Sequence, residues 1–166
     1  MVHELLIHPE RISDKPLVFE GHVRIEEFPR LAESLATPEI GLRYKVTARL
    51  DRQRRKVVSC IIEGFVFLTC QATLEDFRHE ISIDERLVLV DDESSLPPIE
   101  EESDAEDYLV PDGPVDVLDL VEDAVLLALP MVPRKPGAGE AHAELKGQGT
   151  GESPFAALAG LKKRTE

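Results

Sequence analysis

The sequence predicts an α+β fold: a curved antiparallel β-sheet of about five or six strands, open or barrel-like, with two packed helices, a flexible acidic insertion and a flexible C-terminal tail. Three stretches carry this reading. In GLRYKVTARL, apolar Leu42, Tyr44, Val46, Ala48 and Leu50 alternate with Arg43, Lys45, Thr47 and Arg49, the period of two of a half-buried strand. VVSCIIEGFVFLTC, residues 57–70, is a long apolar and β-branched run with Gly64 at its middle, a strand bent or bulged at the glycine and paired antiparallel with residues 42–50. VDVLDLVEDAVLLALP sets Val117, Leu120, Val121, Ala124, Leu127 and Ala128 at helical spacing, with acids in the first turn to suit the helix dipole and Pro130 as a stop.

The remaining elements follow in order. Leu17–Val23 reads as a strand, and IEEFPRLAESLA places Ile25, Phe28, Leu31 and Leu35 on one face of a helix from Ile25 to Ala36, with Pro29 in its first turn, where a missing N–H does no harm. Beyond the hairpin, Phe77–Ile83 and residues 86–90 read as two further strands. Residues 91–133 hold fourteen acids and neither Lys nor Arg, and the first part, about 92–110, has the composition of a solvated, disordered insertion. The second helix runs from Asp116 to Leu129. Residues 1–133 therefore form a single α+β domain, and residues 134–166 a Gly-rich tail ending in a short amphipathic helix, PFAALAGLKKR.

Composition narrows the function classes. A net charge of -14 argues against a protein that coats nucleic acid or anionic membrane with its whole surface, while leaving room for a local basic patch. Two cysteines cannot make a disulfide framework, the first residues lack a secretory pattern, and no apolar run approaches the ~18 residues of a membrane span. The expectation is a soluble protein of a reducing cytoplasm, with no membrane partner.

Catalytic chemistry finds no foothold, so the chain is read as not an enzyme, with no cofactor and no small-molecule substrate. The histidines are scattered without ligand spacing, the serines lie in no nucleophile elbow, and the Gly-rich tail lacks the Gly-Lys-Ser/Thr ending of a phosphate loop. Cys60 and Cys70, ten residues apart on one extended strand, cannot share a metal, so no metal is expected and Cys70 reads as a small apolar residue at a strand end. Between Arg43 and Lys56, by contrast, seven basic residues (Arg43, Lys45, Arg49, Arg52, Arg54, Arg55 and Lys56) face a single acid, Asp51. Such a hairpin fits contact with RNA phosphates, and equally a charged edge that blocks strand aggregation.

Three ordered blocks give the chain a further likeness. Cys70, Gln71 and Leu74 match a strand ending in Cys-x-Arg-Cys-Leu; Asp116, Glu122, Leu127, Leu129 and Pro130 match a helix with an acidic residue and a Leu-x-Leu-Pro end; Pro154, Phe155, Leu158 and Leu161 match a terminal apolar motif. In these blocks the chain resembles the YceD family of large ribosomal RNA subunit accumulation proteins. It departs from the pattern at Ala72 and Thr73, where the family has Arg and a second Cys, and in having no cysteine between Arg134 and Gly149. The resemblance implies a non-enzymatic factor supporting 23S ribosomal RNA accumulation, processing or early large-subunit assembly, with a ribosomal RNA precursor or a large-subunit ribosomal protein as partner. On that reading the seven basic residues touch RNA, while Asp116, Glu122, Phe155, Leu158 and Leu161 engage a protein partner. The alternative is an acidic adapter or chaperone that shields a basic ribosomal protein without touching RNA.

Overall fold

The computed structural model describes residues 5–98 and 106–138. Its elements run β1 (Leu6–Ile7), β2 (Leu17–His22), α1 (Pro29–Ser34), β3 (Gly41–Leu50), β4 (Lys56–Thr69), β5 (Asp76–Leu89), β6 (Asp107–Leu109), β7 (Val115–Asp116) and α2 (Val117–Ala128). The α+β class is as expected, with two α-helices among the described residues. The main sheet has the order β2-β3-β4-β5-β6, and β1 pairs with β7 in a small second sheet.

The hairpin forms as its alternation dictates: Val46 faces Cys60 across the β3–β4 pair, and Leu42 faces Gly64. On β3 the even positions Leu42, Tyr44, Val46 and Ala48 are buried, while Arg43, Lys45 and Arg49 are exposed. Gly64 adopts φ +141°, and a Cβ there would fall 1.8 Å from the Gly41 carbonyl oxygen. Glycine is what lets two neighbouring strands approach this closely.

One face of the sheet forms the core. Val46, Val58, Cys60, Ile62 and Val66 are fully buried, as are Phe28, Leu31, Val117, Val121 and Val125 from the helical side. α2 packs against β4, β5 and α1, so its apolar stripe closes the core and its other stripe meets solvent.

Several expectations meet a different structure. The sheet is mixed rather than antiparallel, because β6 lies parallel to β5, with Leu87, Val88 and Leu89 opposite Asp107, Tyr108 and Leu109. Among the described residues it is open, with β2 and β6 as its edges. The first helix is two pieces: a 3-10 turn at Ile25–Glu27 stops at Phe28 (φ -127°, ψ 70°), and α1 begins with Pro29 at its first position. A residue before proline is pushed out of the helical region, which explains the break. The two strands expected at 77–83 and 86–90 are one strand, β5, in which Ser82, Asp84 and Arg86 keep the outward parity. The stretch read as a solvated insertion also contains an ordered piece, β6.

The sheet belongs to a compact unit, Met1–Pro133; Arg134–Glu166 is assigned to a separate one. Only residues 134–138 of the latter are described, so the expected terminal helix with Phe155, Leu158 and Leu161 lies outside the described residues. Among the described residues, no helix is long and apolar enough to cross a membrane.

Candidate nucleic-acid and partner interface

The β3–β4 turn is built around Asp51. Its Oδ1 accepts hydrogen bonds from the backbone N–H groups of Gln53 and Arg55, each at 2.9 Å, and its Oδ2 accepts one from Arg55 Nε at 2.8 Å. An Asp at the head of a turn, bonding the backbone two and four residues on, is the reason this segment reverses here. Burial alone would raise the Asp51 pKa, but the bonds from the Arg55 backbone and side chain and from Gln53 outweigh it and hold the carboxyl below its ordinary value.

Arg55 is anchored a second time. Its guanidinium donates two bonds to the Glu106 carboxylate, at 2.9 and 3.1 Å, the fork geometry that suits Arg. Arg86 joins the same group, with Nη2 donating to Asp51 Oδ2 at 3.2 Å and Nε lying 3.0 Å from Glu106 Oε1. Asp51, Arg55, Arg86 and Glu106 thus form a charge-balanced cluster that ties the tip to β5 and to the start of β6.

The other basic residues divide into two groups. Arg43 donates to Glu63 across the β3–β4 pair at 2.8 Å, Arg54 Nη1 reaches both oxygens of Asp14 at 2.9 Å, and Lys56 Nζ lies 2.5 Å from Asp91. Lys45, Arg49 and Arg52 are exposed, and no ion pair engages them among the described residues. Arg49 and Arg52 line an open cleft of about 590 Å³ whose floor includes Val57, Ser59 and Arg86. Lys45 and Arg43 line a second, of about 500 Å³, that also holds Glu20, His22, Ile61 and Glu63. Sequence proximity thus concentrates seven cations, but the fold pairs four of them with acids and leaves three without an ion-pair partner among the described residues.

The acids singled out on α2 are engaged inside the fold. Asp116 is the N-cap: its Oδ1 accepts from Leu118 N at 2.8 Å and Asp119 N at 3.4 Å. Glu122, expected to engage a protein partner, is only 3% exposed. Its carboxylate accepts the backbone N–H of Leu31 at 3.0 Å and Arg30 Nε at 2.8 Å. Leu31 is in the first turn of α1, where N–H groups have no partner within the helix, so Glu122 caps α1 from another element. Arg30 also reaches Asp123, at 2.7 Å, and these two carboxylates, Asp123 first, raise its pKa.

Cys60 and Cys70 form no disulfide and are both fully buried. Burial, and then the charge of Glu85, pushes the Cys60 thiol up to about 12. No group of three or more His, Cys, Asp or Glu side chains that could hold a metal occurs among the described residues. The cluster partners of the tip, Arg86 and Glu106, were missed at the level of sequence, because nothing local marks a residue 51 positions away from Arg55 as its partner.

The comparisons with known proteins point to one family. The family described as "Large ribosomal RNA subunit accumulation protein YceD" matches residues 58–162, a span that begins in β4 and includes α2. A protein of Haemophilus influenzae (strain ATCC 51907 / DSM 11121 / KW20 / Rd) named "Large ribosomal RNA subunit accumulation protein YceD" is 25% identical over 174 residues, covering 96% of each chain. No solved structure matches the chain.

Proposed function

Because the chain belongs to the YceD family, we propose that it is a non-enzymatic cytoplasmic factor that supports accumulation of large-subunit ribosomal RNA through direct contact with precursor 23S RNA. The observation that carries the biological role is the match to a relative so named along 96% of both chains. What supports the RNA contact is narrower. Lys45, Arg49 and Arg52 are exposed and without an ion-pair partner among the described residues, on the outer side of β3 and at its tip. In a chain of charge -14, uncompensated cations along one hairpin are where a phosphate backbone meets least repulsion. The remaining basic residues stiffen the hairpin that presents these three.

The test is a salt titration of binding to precursor 23S RNA fragments. Each phosphate contact contributes roughly 0.9 to the log–log slope in duplex and about 0.7 in single strands, so replacing Lys45, Arg49 and Arg52 together with Gln is expected to lower the slope by about 2 to 3. The fold should be unaffected, since the three side chains are exposed. An unchanged slope and affinity would remove the RNA contact from this surface and favour the adapter reading, in which the acids meet a basic ribosomal protein.

A further inference from the structure

The β4–β5 turn combines two features that stability alone would select against. Leu74 has a left-handed backbone, φ +59°, which a bulky residue adopts uphill, and its side chain is 76% exposed. The turn itself is well made: Leu74 N–H donates to the Cys70 carbonyl at 2.8 Å and Cys70 N–H to the Glu75 carbonyl at 2.9 Å. A glycine or asparagine would fit the backbone better and lose no buried contact.

The segment leaving α2 is tied to this turn and carries further exposed apolar side chains. Gln71 N–H donates to the Pro133 carbonyl at 2.9 Å, which holds the segment leaving α2 against the turn. In that segment Met131 is 100% exposed and Val132 56%, and Leu127 in the last turn of α2 is 82% exposed. Leu127 follows Asp119 and Asp123 at four-residue intervals on the solvent stripe of the helix, and Leu74 is followed by Glu75 and Asp76.

We propose that Leu74, Leu127, Met131 and Val132 form a docking surface for a basic protein segment with an apolar face, the adjacent acids meeting its cations. Aliphatic side chains offer no plane for a nucleobase, and the acids repel phosphate, so RNA is a poor occupant. A second copy of this chain is also disfavoured, because each copy carries a charge of -14 and would bring the same acids face to face. Exposed apolar side chains rimmed by charge are the usual mark of a protein contact. The proposal rests on the reading as a ribosomal assembly factor only for where such a partner is found; the docking is measurable without ribosomal material.

The experiment uses the full-length protein and a fluorescent amphipathic helical peptide of leucine and lysine, with a leucine–glutamate peptide of the same pattern as control. Leu74→Gly is expected to leave the melting temperature unchanged or higher, since glycine adopts this backbone freely, while weakening binding of the leucine–lysine peptide about fivefold. The pair Leu127→Ser and Met131→Ser should weaken it about tenfold. Equal binding by the variants, or by the leucine–glutamate peptide, overturns the proposal. So does a fall in melting temperature for Leu74→Gly, which would make Leu74 part of the core, or a dimer in sedimentation that the double substitution dissolves. RNA affinity of these variants is expected to stay at the wild-type value, so loss of the RNA reading and loss of this one are separately visible.

Discussion

β4 turns into its neighbours at both ends through a non-glycine residue of positive φ, Arg54 at 65° and Leu74 at 59°, yet the two ends are held in different ways. At the first, Asp51 gathers the backbone and Arg55, while Arg54 reaches Asp14. At the second, backbone hydrogen bonds close the turn and the leucine side chain stands in solvent. Across the ~45 Å that a strand of this length spans, charge is consumed as structure at one end and apolar surface is left unused at the other. The lesson is that composition marks where a residue type is concentrated, and only the fold decides whether it is available. The tip is the most basic stretch of the chain, but four of its seven cations are occupied.

The largest effect is expected from cutting the strand between the two ends. In Gly64→Ala the new Cβ would lie 1.8 Å from the Gly41 carbonyl oxygen, and it must also be held at φ +141°. Backbone cannot move aside as a side chain tip can, so a loss of about 3 kcal/mol is expected. Hydrogen exchange locates the damage. If the Asp51 cluster holds its end independently, protection should fall first in residues 61–69 and 76–83 and persist around 49–58. Uniform loss would show that the two ends form one cooperative unit.

Glu122 extends the comparison from the sheet to the helices. Replacing it with Ala leaves the Leu31 N–H without its partner in a buried setting, at a cost of about 2–3 kcal/mol. Chemical denaturation should show this loss, together with early exchange of the α1 amides. A neutral Glu122→Ala would mean that water replaces the carboxylate and that the α1–α2 contact depends on apolar packing. Asp123→Asn, exposed and paired only with Arg30, should change stability by much less.

Legibility followed how local the cause was. The alternation in β3 and the acid-rich start of α2 depend on residues near in sequence, and each was readable, whereas Gly64, read as a bend or bulge, sits in an unbroken register and serves a close approach to Gly41. β5 read as two strands because Glu85, facing inward between Ile83 and Leu87, breaks the apolar alternation. The fold tolerates it half-buried, with its pKa raised by burial and then by Asp107. β6 was hidden because three residues inside an acidic run acquire strand character only from the ladder that β5 offers. Glu122 was misjudged for the same reason: its partner is the start of a helix 91 positions away, which no periodicity announces. The basic hairpin was visible as charge, while the pairing that leaves Lys45, Arg49 and Arg52 unengaged depends on Glu63, Asp14, Glu106 and Asp91 arriving from elsewhere.

The smallest effect is the finest probe of the two ends, because a buried thiol lies toward each of them. Cys60 lies on the tip side of Gly64, and Cys70 just beyond the last residue of the strand, where its N–H and carbonyl close the β4–β5 turn. In the native protein at pH 8 both should react with iodoacetamide on the order of 100-fold more slowly than in the unfolded chain, since burial must first be undone. Turn openings are cheaper than global ones, so mass spectrometry of the labelled peptides is expected to find Cys70 modified before Cys60. The pH dependence carries a sign as well. Because folding raises the Cys60 pKa from 9.0 to about 12, its contribution to stability is intact below pH 9 and declines as pH rises toward 12, where only the unfolded thiol has ionised. Cys60→Ala should flatten that decline at the price of a small cavity, whereas Cys60 labelling ahead of Cys70 at pH 8 would make the charge-held tip the weaker end and reverse the comparison.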